Sequence, residues 1–124
     1  MTFDEIIDTE THPLNDKTFQ QTCRNSLDAN GVLVLPALLT PTALARLQKE
    51  AREGQDKAYF CTQDHNVYLT QPDTAFRADH PRNRQVVSSK GCICDDDIAT
   101  DSPLRNLYDA ERFRAFVMAV TGEE

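Results

Sequence analysis

Apolar positions along this chain change period several times, and each change predicts an element. After Asn15, a residue able to cap a helix, Phe19, Cys23 and Leu27 recur every fourth position, which marks one face of an α-helix. Asn30-Gly31 should end that helix, because glycine readily takes the left-handed conformation that follows a last turn. Val32-Leu33-Val34-Leu35 then runs without polar alternation to Pro36, the pattern of a strand buried on both faces. Thr40-Pro41 sets a capping hydroxyl before proline at the first helical position. Leu44, Leu47 and Ala51 supply the apolar stripe of that second helix, with Arg46 and Glu50 one turn apart on its solvated side.

From Tyr59 onward the period shortens. Residues 66–70 and 84–89 read as short strands, separated by a Pro- and Asp-rich connection over 71–81. Gly91-Cys92-Ile93-Cys94 leads into Asp95-Asp96-Asp97, which reads as a turn. Ser102-Pro103 opens a short helix carrying Leu104 and Leu107, and Asp109 is the expected cap of a last one. Phe113, Phe116, Val117 and Val120 form its apolar face, and Gly122 closes it. Residues 1–15 show no such period and read as a polar leader, which leaves 16–124 as a single domain. Four helices and three short strands predict an α+β chain, with too few strands to close a sheet on themselves. The doubly apolar run at 32–35 asks for neighbours on each side, so the expectation is the front of a larger fold. Such an unpaired strand also predicts self-association.

Composition narrows the class. The chain has 124 residues, 40% hydrophobic and 27% charged, as expected of a soluble folded protein. Lys and Arg total 13 against 20 Asp and Glu, a net charge of −7. That acidity argues against a nucleic-acid binder or an anionic-membrane binder, either of which needs a basic surface. No apolar run approaches the ~20 residues that cross a bilayer. The acidic start MTFDEIIDTETH lacks the basic and apolar regions of a signal peptide. A cytoplasmic chain with four reduced cysteines follows as the expectation.

Metal chemistry finds little support in the residue pattern. A non-haem iron site takes two histidines and a carboxylate on one face. His12, His65 and His80 are each followed by residues that offer no carboxylate two positions on. Asp64-His65 and Asp79-His80 are adjacent pairs, and neighbours in an extended chain point to opposite faces. Cys61, His65, Cys92 and Cys94 are the set that a small zinc site would use, although the usual Cys-x-x-Cys knuckle is missing. Buried or free thiols are the competing reading, with Cys23 on a helical core face. Asp95-Asp96-Asp97 lacks the spaced ligands and glycine of a calcium loop and reads as a solvated turn.

The stretch from Arg77 to Lys90 stands out instead, with Arg77, Arg82, Arg84 and Lys90 against Asp79 alone in an acidic chain. Clustered guanidinium groups suit the carboxylate or phosphate of a small anionic ligand, whereas surface pairing with nearby acids is the plainer alternative. No phosphate loop, dinucleotide fingerprint or nucleophile elbow is present.

Several blocks of sequence resemble a known family. Asn30-Gly31-Val32-Leu33-Val34-Leu35-Pro36-Ala37-Leu38-Leu39-Thr40-Pro41, running into Leu44-Ala45-Arg46-Leu47, resembles the entry to Fe(II)/2-oxoglutarate-dependent oxygenases of the phytanoyl-CoA hydroxylase type. His80-Pro81-Arg82-Asn83-Arg84-Gln85 and Ser88-Ser89-Lys90-Gly91-Cys92-Ile93 are similar to a bacterial, ArpA-like branch grouped with amino-acid hydroxylases and halogenases. Ser102-Pro103-Leu104-Arg105 and Phe113-Arg114-Ala115-Phe116 extend that likeness to the C-terminus. The resemblance implies a helical N-terminal portion with a few short strands, lacking most of the double-stranded β-helix (jelly-roll) that carries iron and 2-oxoglutarate. It also implies that Arg82 or Arg84, and secondarily Asn83 and Lys90, meet the carboxylate of a small amino-acid-like substrate. No residue is assigned to iron, and the chain is not expected to be catalytic by itself. A non-catalytic binding or interaction module is the alternative, and a small zinc protein a further one.

Overall fold

Asp16, one residue later than the expected cap, opens the first long helix: its carboxylate accepts the backbone N–H of Phe19 at 2.7 Å. The computed structural model describes residues 1–123, which form two compact units, one of residues 1–53 with 98–123 and one of residues 54–97. The first unit is helical: α1 (Phe3–Ile6), α2 (Lys17–Asn30), α3 (Pro41–Glu53), α4 (Pro103–Tyr108) and α5 (Glu111–Thr121). The second holds one antiparallel pair, β1 (Tyr59–His65) and β2 (Val86–Cys92), flanked by 3₁₀ turns at Gln55–Lys57 and Asp95–Asp97. The chain is thus α+β, five helices and a two-stranded sheet among the described residues. No described helix is long and apolar enough to cross a membrane.

The core of the helical unit begins where a leader was expected. Ile6 and Ile7 are 0% exposed and Leu14 is buried with them, packed with Cys23, Ala43, Phe116 and Val120. The short segment after α1 also pairs with the chain before α3. Asp8 N–H donates to the Leu38 carbonyl at 2.9 Å, and Thr40 N–H donates to the Ile6 carbonyl at 2.8 Å. His12 is buried, and its Nε2–H reaches the Pro36 carbonyl at 2.9 Å. Residues 1–15 look polar because their apolar side chains sit in a single helical turn, one bridge and the turns that follow, each too short to display a helical or strand period.

Residues 32–35 form no strand. Val32 and Val34 are 57% and 70% exposed, while Leu33 and Leu35 pack on the core. The segment is therefore extended and one-sided, although every residue in it is apolar. Its bonding partner is not a sheet: the following residues turn through Ala37, at φ 53°, into the bridge at Leu39. Val32 and Val34 are thus exposed together on the side away from the core. Val34→Lys should leave the melting temperature within about 2 °C, as an exposed substitution does, and should raise solubility in light scattering at high concentration. A lost fold would place Val34 in the core instead.

Helix α3 rotates relative to the expected stripe. Ala43 is buried and Leu47 half-buried, whereas Leu44 and Ala51 face solvent. Arg46 and Glu50, expected on the wet side, instead join α3 to the start of α4. Arg46 Nε meets Glu50 Oε1 at 3.0 Å, and its Nη2 meets Asp101 Oδ2 at 2.8 Å. Fully buried Ser102 caps α4 and donates its hydroxyl to Glu50 Oε2 at 2.6 Å. Helix α5 begins after Ala110 with no side-chain cap, and Asp109 instead terminates α4. Phe116 and Val120 face the core as expected, with Phe116 stacked on Phe19 of α2 at 6.1 Å. Gly31 (φ 69°) and Gly122 (φ 77°) close α2 and α5 in the left-handed region.

Three carboxylates of this unit have lowered pKa values. Thr2 N–H, with its hydroxyl, holds Glu5 down; the Thr11 hydroxyl and N–H hold Asp8 down; Arg46 holds Asp101 down. Each contributes stability that is present above the ordinary carboxylate range, about pH 4–4.5, and lost as pH falls through the lowered folded value. Thermal melts followed by circular dichroism should therefore show a plateau at neutral pH and a decline below about pH 4. Asp101→Asn should flatten part of that decline.

Candidate functional site

The two-stranded unit is built around its connection. Strand pairing runs from Tyr59 opposite Cys92 to His65 opposite Val86, so the expected strand at 66–70 is absent and the second strand extends to Cys92. The β-branched and aromatic residues of 66–70 are exposed, and one buried asparagine turns the chain there. Asn66 Oδ1 accepts from Tyr68 N–H at 3.0 Å and Thr70 N–H at 3.1 Å, while its Nδ2 donates to the Thr70 carbonyl at 2.8 Å. A short polar side chain competes well with strand pairing when it satisfies the backbone this way.

Asn83 does the same at the other end of the loop. Its Oδ1 accepts from Asp73 N–H at 2.7 Å, and its Nδ2 faces the carbonyls of Asp73, Phe76 and Arg77 at 2.8, 3.1 and 3.1 Å. With Asn83 only 5% exposed, its amide is spent on the backbone. The resemblance implied Asn83 only secondarily as a substrate contact, and the hydrogen bonds it makes are those of a loop organiser. The signal available in the sequence was asparagine at both ends of a Pro- and Asp-rich stretch, a turn chemistry rather than a ligand chemistry.

The basic cluster divides. Arg77 forks onto Asp79, with both groups exposed, a pairing worth little. Arg82 meets Asp73 Oδ2 at 2.9 Å and lies over the rings of Tyr68 and Phe76, 4.9 and 5.8 Å from their centroids. Phe76 in turn stacks on His80 at 4.5 Å. Arg82 therefore braces the loop, and Asp73, its partner, was not singled out by pattern. Arg84 donates its backbone N–H to the His80 carbonyl at 3.0 Å, but its guanidinium has no hydrogen bond or ion pair among the described residues and edges a cavity of about 470 Å³ with Val67, Pro81, Gln85 and Val86. The Lys90 ammonium likewise has no partner among the described residues, and its backbone pairs opposite Cys61 on the sheet. A second, larger cavity of about 710 Å³ is bordered by Asp64, His65, Leu69, Thr70, Gln71 and Gln85 among others. The two cavities share Gln85, whose amide is held by the Asn83 carbonyl at 3.0 Å.

The geometry disperses the proposed metal ligands. Cys61 and His65 are on one face of β1, four residues and roughly 13 Å apart along a strand. Cys92 pairs with Tyr59 at the far end of the sheet from His65, and Cys94 lies beyond the strand. Both ring nitrogens of His65 are occupied, Nδ1 by the Asn66 carbonyl at 3.0 Å and Nε2 by Ser88 Oγ at 3.1 Å. His80 Nδ1 accepts from Arg82 N–H at 3.2 Å, and His12 is bonded within the helical core. The residues present therefore do not fit an iron or zinc centre, and no group of three or more metal-ligating side chains occurs among those described. All four cysteines are free thiols, and burial raises the pKa of Cys23. No protein-family model, curated protein or solved structure matches this chain.

Proposed function

We propose that this chain is the N-terminal, substrate-facing portion of an Fe(II)/2-oxoglutarate-dependent oxygenase of the phytanoyl-CoA hydroxylase type, in the branch of amino-acid hydroxylases and halogenases. In that reading iron and 2-oxoglutarate belong to the jelly-roll of the intact relatives, and this chain's residues serve binding and orientation. One observation carries the assignment: Arg84, a guanidinium with no acid partner, sits beside an apolar cavity within the sequence block on which the resemblance rests. A fork of N–H donors next to Val67, Pro81 and Val86 suits a carboxylate attached to a short aliphatic body. Arg82 and Asn83 hold the loop that presents it, which leaves Arg84 as the residue assigned to the substrate carboxylate.

Titrating isotope-labelled protein with small aliphatic amino acids should shift the resonances of residues 81–86. Arg84→Gln should weaken that binding at least about tenfold, since a charge-assisted bidentate contact is lost. Equal binding by the variant would defeat the assignment. Iron-dependent formation of succinate from 2-oxoglutarate by this chain alone would mean that it holds its own catalytic centre.

A further inference from the structure

We propose that Ser88 and His65 form a nucleophilic pair, and that Ser88 accepts acyl groups from activated esters or thioesters. The inference is independent of the oxygenase reading. It starts from hydrogen-bond polarity. The Asn66 carbonyl can only accept, so the contact at 3.0 Å requires His65 Nδ1 to carry the proton. In the neutral ring Nε2 is then the bare nitrogen, and it must accept from Ser88 Oγ–H at 3.1 Å. The serine hydroxyl is thereby aimed at a base whose tautomer is set from behind, as in serine acyl-transfer enzymes, with a neutral carbonyl in the place their carboxylate holds.

The turn that orients the ring is tied down by hydrogen bonds, and the reagent has a way in. Asn66, whose carbonyl orients the ring, is 1% exposed and holds three backbone contacts of its turn through its side chain. Ser88 and His65 are only half-buried on one face of the β1–β2 pair, and His65 also borders the larger cavity. The neighbouring hydroxyl makes the contrast. Ser89 points to the other face, where its partner at 2.8 Å is the hydroxyl of Thr62 and not an imidazole.

In the step itself, Ser88 Oγ attacks the acyl carbon while its proton passes to His65 Nε2. The carbon–oxygen or carbon–sulfur bond to the leaving group breaks, and the departing alkoxide or thiolate takes the proton back from the imidazole. The product is an ester on Ser88. Water, deprotonated by the same nitrogen, can later release it as a carboxylic acid. An activated acyl donor is specified because its leaving group departs easily, so base assistance at the attacking oxygen suffices.

The test uses a fluorophosphonate and, separately, p-nitrophenyl acetate on the intact chain, with peptide mass mapping. Expected is a single adduct at Ser88 and none at Ser89, abolished in Ser88→Ala and slowed about a hundredfold in His65→Gln, the usual scale of general-base assistance. Circular dichroism checks that each variant is folded. Should His65→Gln unfold the hairpin, the Ser88-to-Ser89 labelling ratio in the unaltered chain decides alone. Equal labelling of the two serines, labelling confined to lysines, or a folded His65→Gln that reacts at the original rate would overturn the proposal and leave the Ser88–His65 contact as a tie between strands.

Discussion

A chain lacking residues 1–15 should fail to form the helical unit. Ile6, Ile7 and Leu14 are all at the bottom of its exposure range and lie in the same cluster as Phe116 and Val120. Emptying one such site typically costs about 2–5 kcal/mol through lost burial and the cavity left behind. Removing three costs about 6–15 kcal/mol on that scale, as much as the whole ~5–15 kcal/mol that separates a folded domain from its unfolded chain. The same deletion strands the Leu38 and Pro36 carbonyls and the Thr40 N–H, whose partners are Asp8, His12 and Ile6. Ile6→Ala is the milder version and should lower stability by about 2–4 kcal/mol. Denaturant melts by far-ultraviolet circular dichroism read both. A truncated chain with full helical signal and a cooperative melt would show that the segment is a leader after all.

Asn83→Ala should dismantle the loop between the two strands. The substitution removes an acceptor from Asp73 N–H and a donor from three carbonyls at once. Leaving a fully buried backbone group unpaired costs about 1–3 kcal/mol, and less for these partly buried ones that water can reach, so a net loss of about 1–3 kcal/mol is expected in the hairpin unit. Asn83→Asp is the sharper probe. It keeps the shape but sets a carboxylate against three carbonyl oxygens, all acceptors, and should be no less damaging. Amide hydrogen exchange at Asp73 and along β2 reports the outcome. Unchanged protection in Asn83→Asp would mean that the amide does not organise the loop.

Where local chemistry sets the conformation, the sequence was a good guide. Phe19, Cys23 and Leu27 predicted the inner face of α2, and glycine predicted the left-handed closures at Gly31 and Gly122. Thr40-Pro41 and Ser102-Pro103 marked helix starts that the structure places at Pro41 and Pro103. These signals depend on a residue and its nearest turn, so they survive without knowledge of the rest of the molecule.

Elsewhere a distant partner decided, and pattern failed for that reason. The unbroken apolar run at 32–35 reads as a buried strand, yet the core takes only Leu33 and Leu35 and leaves both valines in solvent. Arg46 and Glu50 read as a solvated pair until Asp101 and Ser102, half the chain away, close on them. At the candidate site the sequence located the basic cluster but could not rank it. Asp73, nine residues from Arg82, removes that arginine from the pool of free cations, and Arg84 is left beside the cavity.

The His65–Ser88 contact spans 23 residues and was invisible to any spacing rule, because register across an antiparallel pair is set only when the strands meet. What the sequence determined by itself is thus the starts of α3 and α4, the glycine closures of α2 and α5, and the inward placing of Phe19, Cys23 and Leu27 on α2 and of Phe116 and Val120 on α5. Which side chains share a face across strands, and which charges find partners, only the tertiary structure decided, since both follow from long-range contacts that no local period encodes.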